Sequence, residues 1–166
     1  MTDGPDQLAR FVALSAVITG FREFELHGTG HAGEYMSTVV DTAGAGVLAE
    51  LLDAWTHVSD EAGGGGDALQ RALRRDVFSD PKLGPVARNI IRLWYIGVWY
   101  ALPPAWMDAY GALERNSTFT VSPSAYTNGL VWTAIGGNPP GARGPGYGSW
   151  AGPPRFPSFP DDPAGP

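Results

Sequence analysis

The chain has no cysteine, no basic stretch and few charges of either sign. Without cysteine there are no disulfides, no thiolate metal ligands and no cysteine nucleophile. The redox compartment stays open, because a cysteine-free chain works in either. Charged residues are 17% of the 166 and the net charge is −6. An acidic chain without a lysine- or arginine-rich stripe does not attract phosphate backbones or anionic membrane surfaces. Long apolar runs are missing too. The least charged stretch, Leu93 to Met107, contains Pro103-Pro104 and is too short and too broken to span a bilayer.

A leader pattern is also lacking. "MTDGPDQLARFVALSAVITGF" places Asp3 and Asp6 where a secretory signal carries basic residues, and Arg10 interrupts its apolar stretch. We read it as a folded helix over Pro5–Thr19, with Leu8, Phe11, Val12, Ser15 and Ile18 on one face. Pro5 suits the first turn and Gly20 the stop.

What the chain has in excess is glycine and proline, 23 and 15 residues. They punctuate a series of helical segments. The apolar periodicity predicts helices over 34–42 and 47–58, the latter with Leu48, Leu51, Leu52 and Trp55 inward. "DEAGGGG" ends the second of these. Asp67 opens the next as a cap, with Leu69, Leu73 and Val77 inward. The most apolar helix spans 86–100; its apolar residues cover most of its circumference, so it belongs at the centre. A long connection leads to a last helix over 124–135, opened by Ser122-Pro123 and closed by Gly136-Gly137. Only "FREFEL" and "STFTV" look like strands. The expectation is a mostly α, single helical domain of five to six helices over residues 1–135. An irregular Gly/Pro-rich arm over 136–166 follows, where 17 of 31 residues are glycine or proline, too many to build a helix or sheet.

Candidate chemistry is sparse. "GTGHAG" (Gly28–Gly33) fits the G-x-G-x-x-G pattern and "GAGVLA" (Gly44–Ala49) its alanine-ending variant. That pattern binds a pyrophosphate only between a buried strand and a helix, inside a βαβ unit. "MSTVVDTA" is the better strand candidate, yet helix after helix follows it. The glycines read better as helix punctuation. His27 and His31 are four apart but flanked by glycines, with no H-E-x-x-H pattern; they and His57 read as solvated. Ser149 in "GYGSWAG" does not fit G-x-S-x-G. Asp60-Glu61 and Asp161-Asp162 read as solvated loop charges, and the carboxylates form no pair in an apolar setting for acid–base work. "NST" at Asn116 is a formal glycosylation sequon. No catalytic, cofactor-binding or metal-binding residue is assigned.

The aromatics remain. Trp94, Tyr95, Trp99, Tyr100 and Trp106 crowd into thirteen residues, followed by Trp132, Tyr147 and Trp150. Most suit a core; the alternative is a partner surface, since such rings bury much area and carry a polar handle.

Three blocks resemble a known family: "FVALSAVITGF" (Phe11–Phe21), "ARNIIRLWYIGVW" (Ala87–Trp99) and, most specifically, "GLVWTAIG", "PPGA" and "GYGSWA" in order within Val121–Pro154. They are similar to the small subunit of bacterial membrane-bound FAD-dependent sugar and polyol dehydrogenases, the D-sorbitol dehydrogenase small-subunit family. Relatives serve gluconate, fructose and glucose dehydrogenases. The resemblance implies a mostly helical subunit that binds no cofactor itself. It would pair with a large flavoprotein of the glucose-methanol-choline type that holds FAD and oxidises the substrate. A cytochrome c subunit often completes the complex. Such small subunits stabilise or mature the large one, and many carry a twin-arginine leader that escorts it across the membrane. Here Arg74-Arg75 is internal, with no apolar stretch after it. The resemblance implies a periplasmic or membrane-associated complex; without a leader pattern a cytoplasmic location stays open. Partner-binding residues expected on this reading are Trp94, Tyr95, Trp99, Trp132, Arg143, Tyr147 and Trp150, with Tyr147 and Trp150 anchoring the arm and Arg143 a rim contact. An arm folded back on its own domain, and an enzyme in its own right, are the alternatives.

Overall fold

The computed structural model describes residues 4–63, 66–111, 113 and 115–141. In chain order these form α1 (Gly4–Thr19), α2 (Glu23–Gly28), α3 (Ala32–Ala43), α4 (Ala45–Ala62) and α5 (Gly66–Leu73). A π-helical turn (Arg74–Phe78) continues α5. Then come α6 (Leu83–Ile96), β1 (Val98–Trp99), α7 (Pro104–Tyr110), β2 (Phe119–Thr120), α8 (Pro123–Thr127) and α9 (Leu130–Ala134). The domain is mostly helical, as its periodicity predicts. The described residues hold nine α-helical segments rather than five or six, because several expected connections are short helices.

The most apolar helix, α6, is the hub: it packs against α1, α3, α4, the π-turn, α8, α9 and β1. Val86, Ala87, Ile90, Leu93 and Trp94 are buried on it. They meet Phe11, Val12 and Leu14 of α1 and Leu48, Leu51, Leu52 and Val58 of α4 in one core. Burying each of these larger side chains contributes about 1.5–3 kcal/mol. Trp94 stacks on Phe11 and meets Tyr35 of α3 edge-on, with ring centres 4.9 Å apart.

"FREFEL" forms no strand; its last four residues, Glu23–Leu26, begin α2. Its Glu25 carboxylate accepts the Arg22 backbone N–H at 2.9 Å and so closes the first turn of α2, while Leu26 points into the core. "STFTV" does contain β2, which pairs antiparallel with β1 in the register Val98↔Thr120 and Trp99↔Phe119. "MSTVVDTA" lies in α3 despite its β-branched residues. Tyr35, Thr38, Val39, Thr42 and Ala43 recur at helical spacing and are all buried, and that burial outweighs strand propensity. The Thr38 and Thr42 hydroxyls each donate to the carbonyl four residues back, so neither is unpaired.

Asp67 lies one residue inside α5 rather than capping it. The central helix stops at Ile96, before the expected Tyr100. Gly97 takes a left-handed conformation (φ +67°), and its N–H bonds to the Leu93 carbonyl at 2.8 Å. The helix expected over 124–135 is two helices separated at Asn128-Gly129. No described helix is long and apolar enough to cross a membrane.

Candidate functional site: the corner at the root of the arm

Residues 121–141, the described part of the block carrying the strongest family resemblance, fold as a tight corner on the end of α6. Ser122 caps α8, its hydroxyl accepting the Ala125 N–H, and Pro123 occupies the first turn. A Cβ added to Gly97 would lie 2.6 Å from the Ala125 carbonyl carbon, so α8 meets α6 with no side chain between them. At the next step a Cβ on Gly129 would lie 2.6 Å from the Tyr95 carbonyl oxygen. The turn between α8 and α9 is therefore pressed against the last turn of α6, which explains why one continuous helix does not form.

Side chains lock this corner. The Trp132 indole N–H donates to the Tyr126 carbonyl at 2.8 Å, and the two rings meet edge-on. The Tyr95 hydroxyl donates to the Thr19 carbonyl at 2.9 Å, while its ring meets Phe21 edge-on. Tyr95 thus ties α6 to the α1–α2 joint. After α9 the chain turns at Gly136 (φ +65°), and the Gly137 N–H returns to the Trp132 carbonyl at 2.8 Å. Pro139 is buried, and the Tyr126 hydroxyl reaches the Pro140 carbonyl. The first residues of the arm lie against the domain.

Between the α1–α2 joint and this corner runs a groove of about 350 Å³. Phe21, Glu25 and Thr29 line one side; Asn128, Leu130 and Trp132 line the other, with Gly137 at its edge. Two large apolar side chains stand exposed within the segments that form it. Phe24 lies between Phe21 and Glu25 and is 81% exposed; Ile135, between Trp132 and Gly137, is 67% exposed.

The glycine motifs are joints between helices. Gly28 ends α2, Gly30 turns at φ +75°, and Gly44 turns between α3 and α4 at φ +100°. Neither motif follows a strand. His27 and His57 are exposed as expected, but His31 is not: it is 6% exposed and closes a polar clip. Its Nδ1 lies 2.7 Å from Glu34 Oε2, its ring stacks on Tyr35, and its Nε2 faces the Asn128 amide at 3.5 Å. The Ser122 hydroxyl donates weakly to the same Glu34 oxygen. With both nitrogens engaged and the ring buried, this Ser–Glu–His set fastens α8 and its turn to α3. Burial, and secondarily the Glu34 charge, push the Tyr35 phenol well above its ordinary value. No group of three metal-ligating side chains comes together among the described residues. Asn116 of the sequon is also engaged: its side-chain amide pairs with both the N–H and the C=O of Leu102.

The aromatic residues proposed from sequence as partner contacts separate into three groups. Trp94 (1% exposed) and Trp99 (0%) are core side chains and offer no surface to a partner, which corrects their assignment as contacts. Their apolar bulk fills the space around the hub helix, where Trp94 meets Phe11 and Tyr35. Tyr95 and Trp132 are half-buried, and Trp132 faces the groove. Arg143, Tyr147 and Trp150 lie outside the described residues. Sequence reasoning passed over Phe24 and Ile135; the available signal was a phenylalanine flanked on both sides by glutamate, Glu23 and Glu25. Comparison with protein-family models, with curated proteins and with solved structures finds no match.

Proposed function

We propose that this chain is a non-catalytic accessory subunit that binds and stabilises an FAD-dependent sugar or polyol dehydrogenase. The partner is a large subunit of the glucose-methanol-choline type, which holds the FAD and carries the substrate chemistry. A cytochrome c subunit joins through that partner, and maturation or export of the flavoprotein is the service the small subunit provides. Two things support this reading. One is the ordered resemblance of "GLVWTAIG", "PPGA" and "GYGSWA". The other, which carries it, is that the described part of the same block, residues 121–141, builds a corner that walls a groove, with Phe24 and Ile135 exposed on the two segments that flank it. Apolar anchors seated in partner pockets supply much of the energy of such interfaces.

The test is co-expression with the flavoprotein subunit and measurement of its affinity. Phe24→Ser with Ile135→Ser should weaken binding about tenfold or more, since each removes an anchor, while leaving the thermal midpoint of the isolated chain unchanged. Trp150→Ala with Tyr147→Ala probes the arm in the same assay and should also weaken binding. Unaltered affinity in both pairs would sink the accessory-subunit interface. A flavin spectrum that stays with the isolated chain through gel filtration would favour the enzyme alternative instead.

A further inference from the structure

A second cavity, of about 230 Å³, lies on another part of α6. Its helix wall is Pro85, Arg88, Asn89 and Arg92; Leu102 and Pro103, from the chain leaving β1, form part of the facing wall. Arg88 and Arg92 are four residues apart, which places them one above the other on the same helix face. Asn89 holds the two walls together. It is 2% exposed and donates to the Tyr100 carbonyl at 2.7 Å.

The two guanidinium groups are oriented, yet not by charge. Arg88 Nη2 donates to the Phe78 carbonyl at 2.8 Å, and its guanidinium lies 5.9 Å from the Phe78 ring centre. The absence of a side chain at Gly84 leaves room for it, since a Cβ there would sit 3.0 Å from Arg88 Nη1. Arg92 Nη1 donates to Asn89 Oδ1 at 3.1 Å, and the centre of its guanidinium lies 4.6 Å from the Tyr100 ring centre. Neutral acceptors and aromatic faces fix both groups. Arg10, Arg22, Arg75 and Arg115 each pair with a carboxylate; among the described residues none pairs with Arg88 or Arg92. Each guanidinium has five N–H donors in a rigid fork. Two uncompensated forks in an acidic protein, lining one cavity, have the donor set that an oxyanion requires.

We propose that this cavity binds a small organic carboxylate. The carboxylate group would sit between Arg88 and Arg92, and a short apolar body would lie against Pro85, Leu102 and Pro103. Two planar forks suit a planar two-oxygen acceptor, and the apolar wall suits a carbon skeleton rather than a fully hydrated inorganic anion.

The experiment is calorimetric titration of the full chain with butyrate and with inorganic phosphate, ionic strength held constant with chloride. Butyrate should bind saturably at one site. Arg88→Gln with Arg92→Gln should weaken it about tenfold or more, the usual effect of losing a hydrogen bond to a charged group. Arg92→Lys, which keeps the charge but loses the fork, should weaken it by less than the double glutamine variant. Arg71→Gln, an exposed arginine outside the cavity, should leave it unaltered. The proposal is overturned if butyrate shows no saturable binding, or if phosphate binds and butyrate does not. Equal losses in Arg71→Gln and in the cavity variants would also overturn it.

Discussion

Gly97 and Ala125 touch backbone to backbone: the position a Cβ would take on Gly97 lies 2.6 Å from the Ala125 carbonyl carbon and 2.8 Å from its oxygen. This one approach stops α6, lets β1 begin and seats α8. The α8–α9 corner, and with it one wall of the groove, depends on the residue at 97 having no side chain.

Gly97→Ala therefore meets two obstacles together, a positive φ and a collision with backbone that cannot rotate away. It should cost about 2–4 kcal/mol of stability, read as a fall in the urea midpoint. Gly129→Ala tests the same corner without the φ penalty, since Gly129 sits at φ −58° and is opposed mainly by the Tyr95 carbonyl, with the Tyr126 carbonyl oxygen 3.3 Å away. It should cost less, about 1–3 kcal/mol. If both variants melt with the native chain, the corner is not packed as described.

Stability should also fall in alkali because of Tyr35. In the folded chain burial holds its phenol protonated well above the value of about 10 at which it ionises in the unfolded chain. Above that pH the folded state binds more protons than the unfolded one, so stability decreases as pH rises. The slope from this residue approaches about 1.4 kcal/mol per pH unit between the unfolded and folded values. Tyr35→Phe removes that proton linkage, and its unfolding free energy should decline less steeply between pH 10 and 11. Equal slopes in the two proteins would refute the assignment.

The tryptophans separate core from surface. Trp94→Ala should cost about 3–5 kcal/mol, as expected for emptying a fully buried aromatic site, and Trp99→Ala a similar amount. Neither indole N–H finds an acceptor among the described residues, so the loss is one of packing rather than of hydrogen bonds. Phe24→Ala should stay within about 0.5 kcal/mol of the native chain, because its ring is largely in solvent. Chemical denaturation of the three variants measures the contrast directly.

These contrasts mark where the sequence could be read and where it could not. The face of α4 with Leu48, Leu51, Leu52 and Trp55 was legible because helical periodicity states which side turns inward. The central place of α6 was legible for a related reason: a helix apolar on most sides must be covered on most sides. "FREFEL" was misread because its two phenylalanines favour a strand, whereas its fold follows from a capping carboxylate and one buried leucine, both local features of low contrast. The early end of α6 followed from Gly97, which looked permissible inside a helix until Ala125 occupied its open side. His31 appeared solvated between glycines, since nothing in its neighbourhood announces Asn128, 97 residues away in the chain.

The sequence by itself determined the helical character, the burial faces of α1 and α4, the central place of α6, and the breaks at Gly20 and after Ala62, because these depend on periodicity and local backbone freedom. It also carried the family resemblance, from which the proposed role is drawn. Only the tertiary structure decided which aromatics are core and which are available. It removed Trp94 and Trp99 from the surface, left Phe24 and Ile135 open, and put Arg88 and Arg92 on one cavity without a carboxylate. Exposure and charge compensation are properties of what residues far apart in the chain bring together, and no local pattern encodes them.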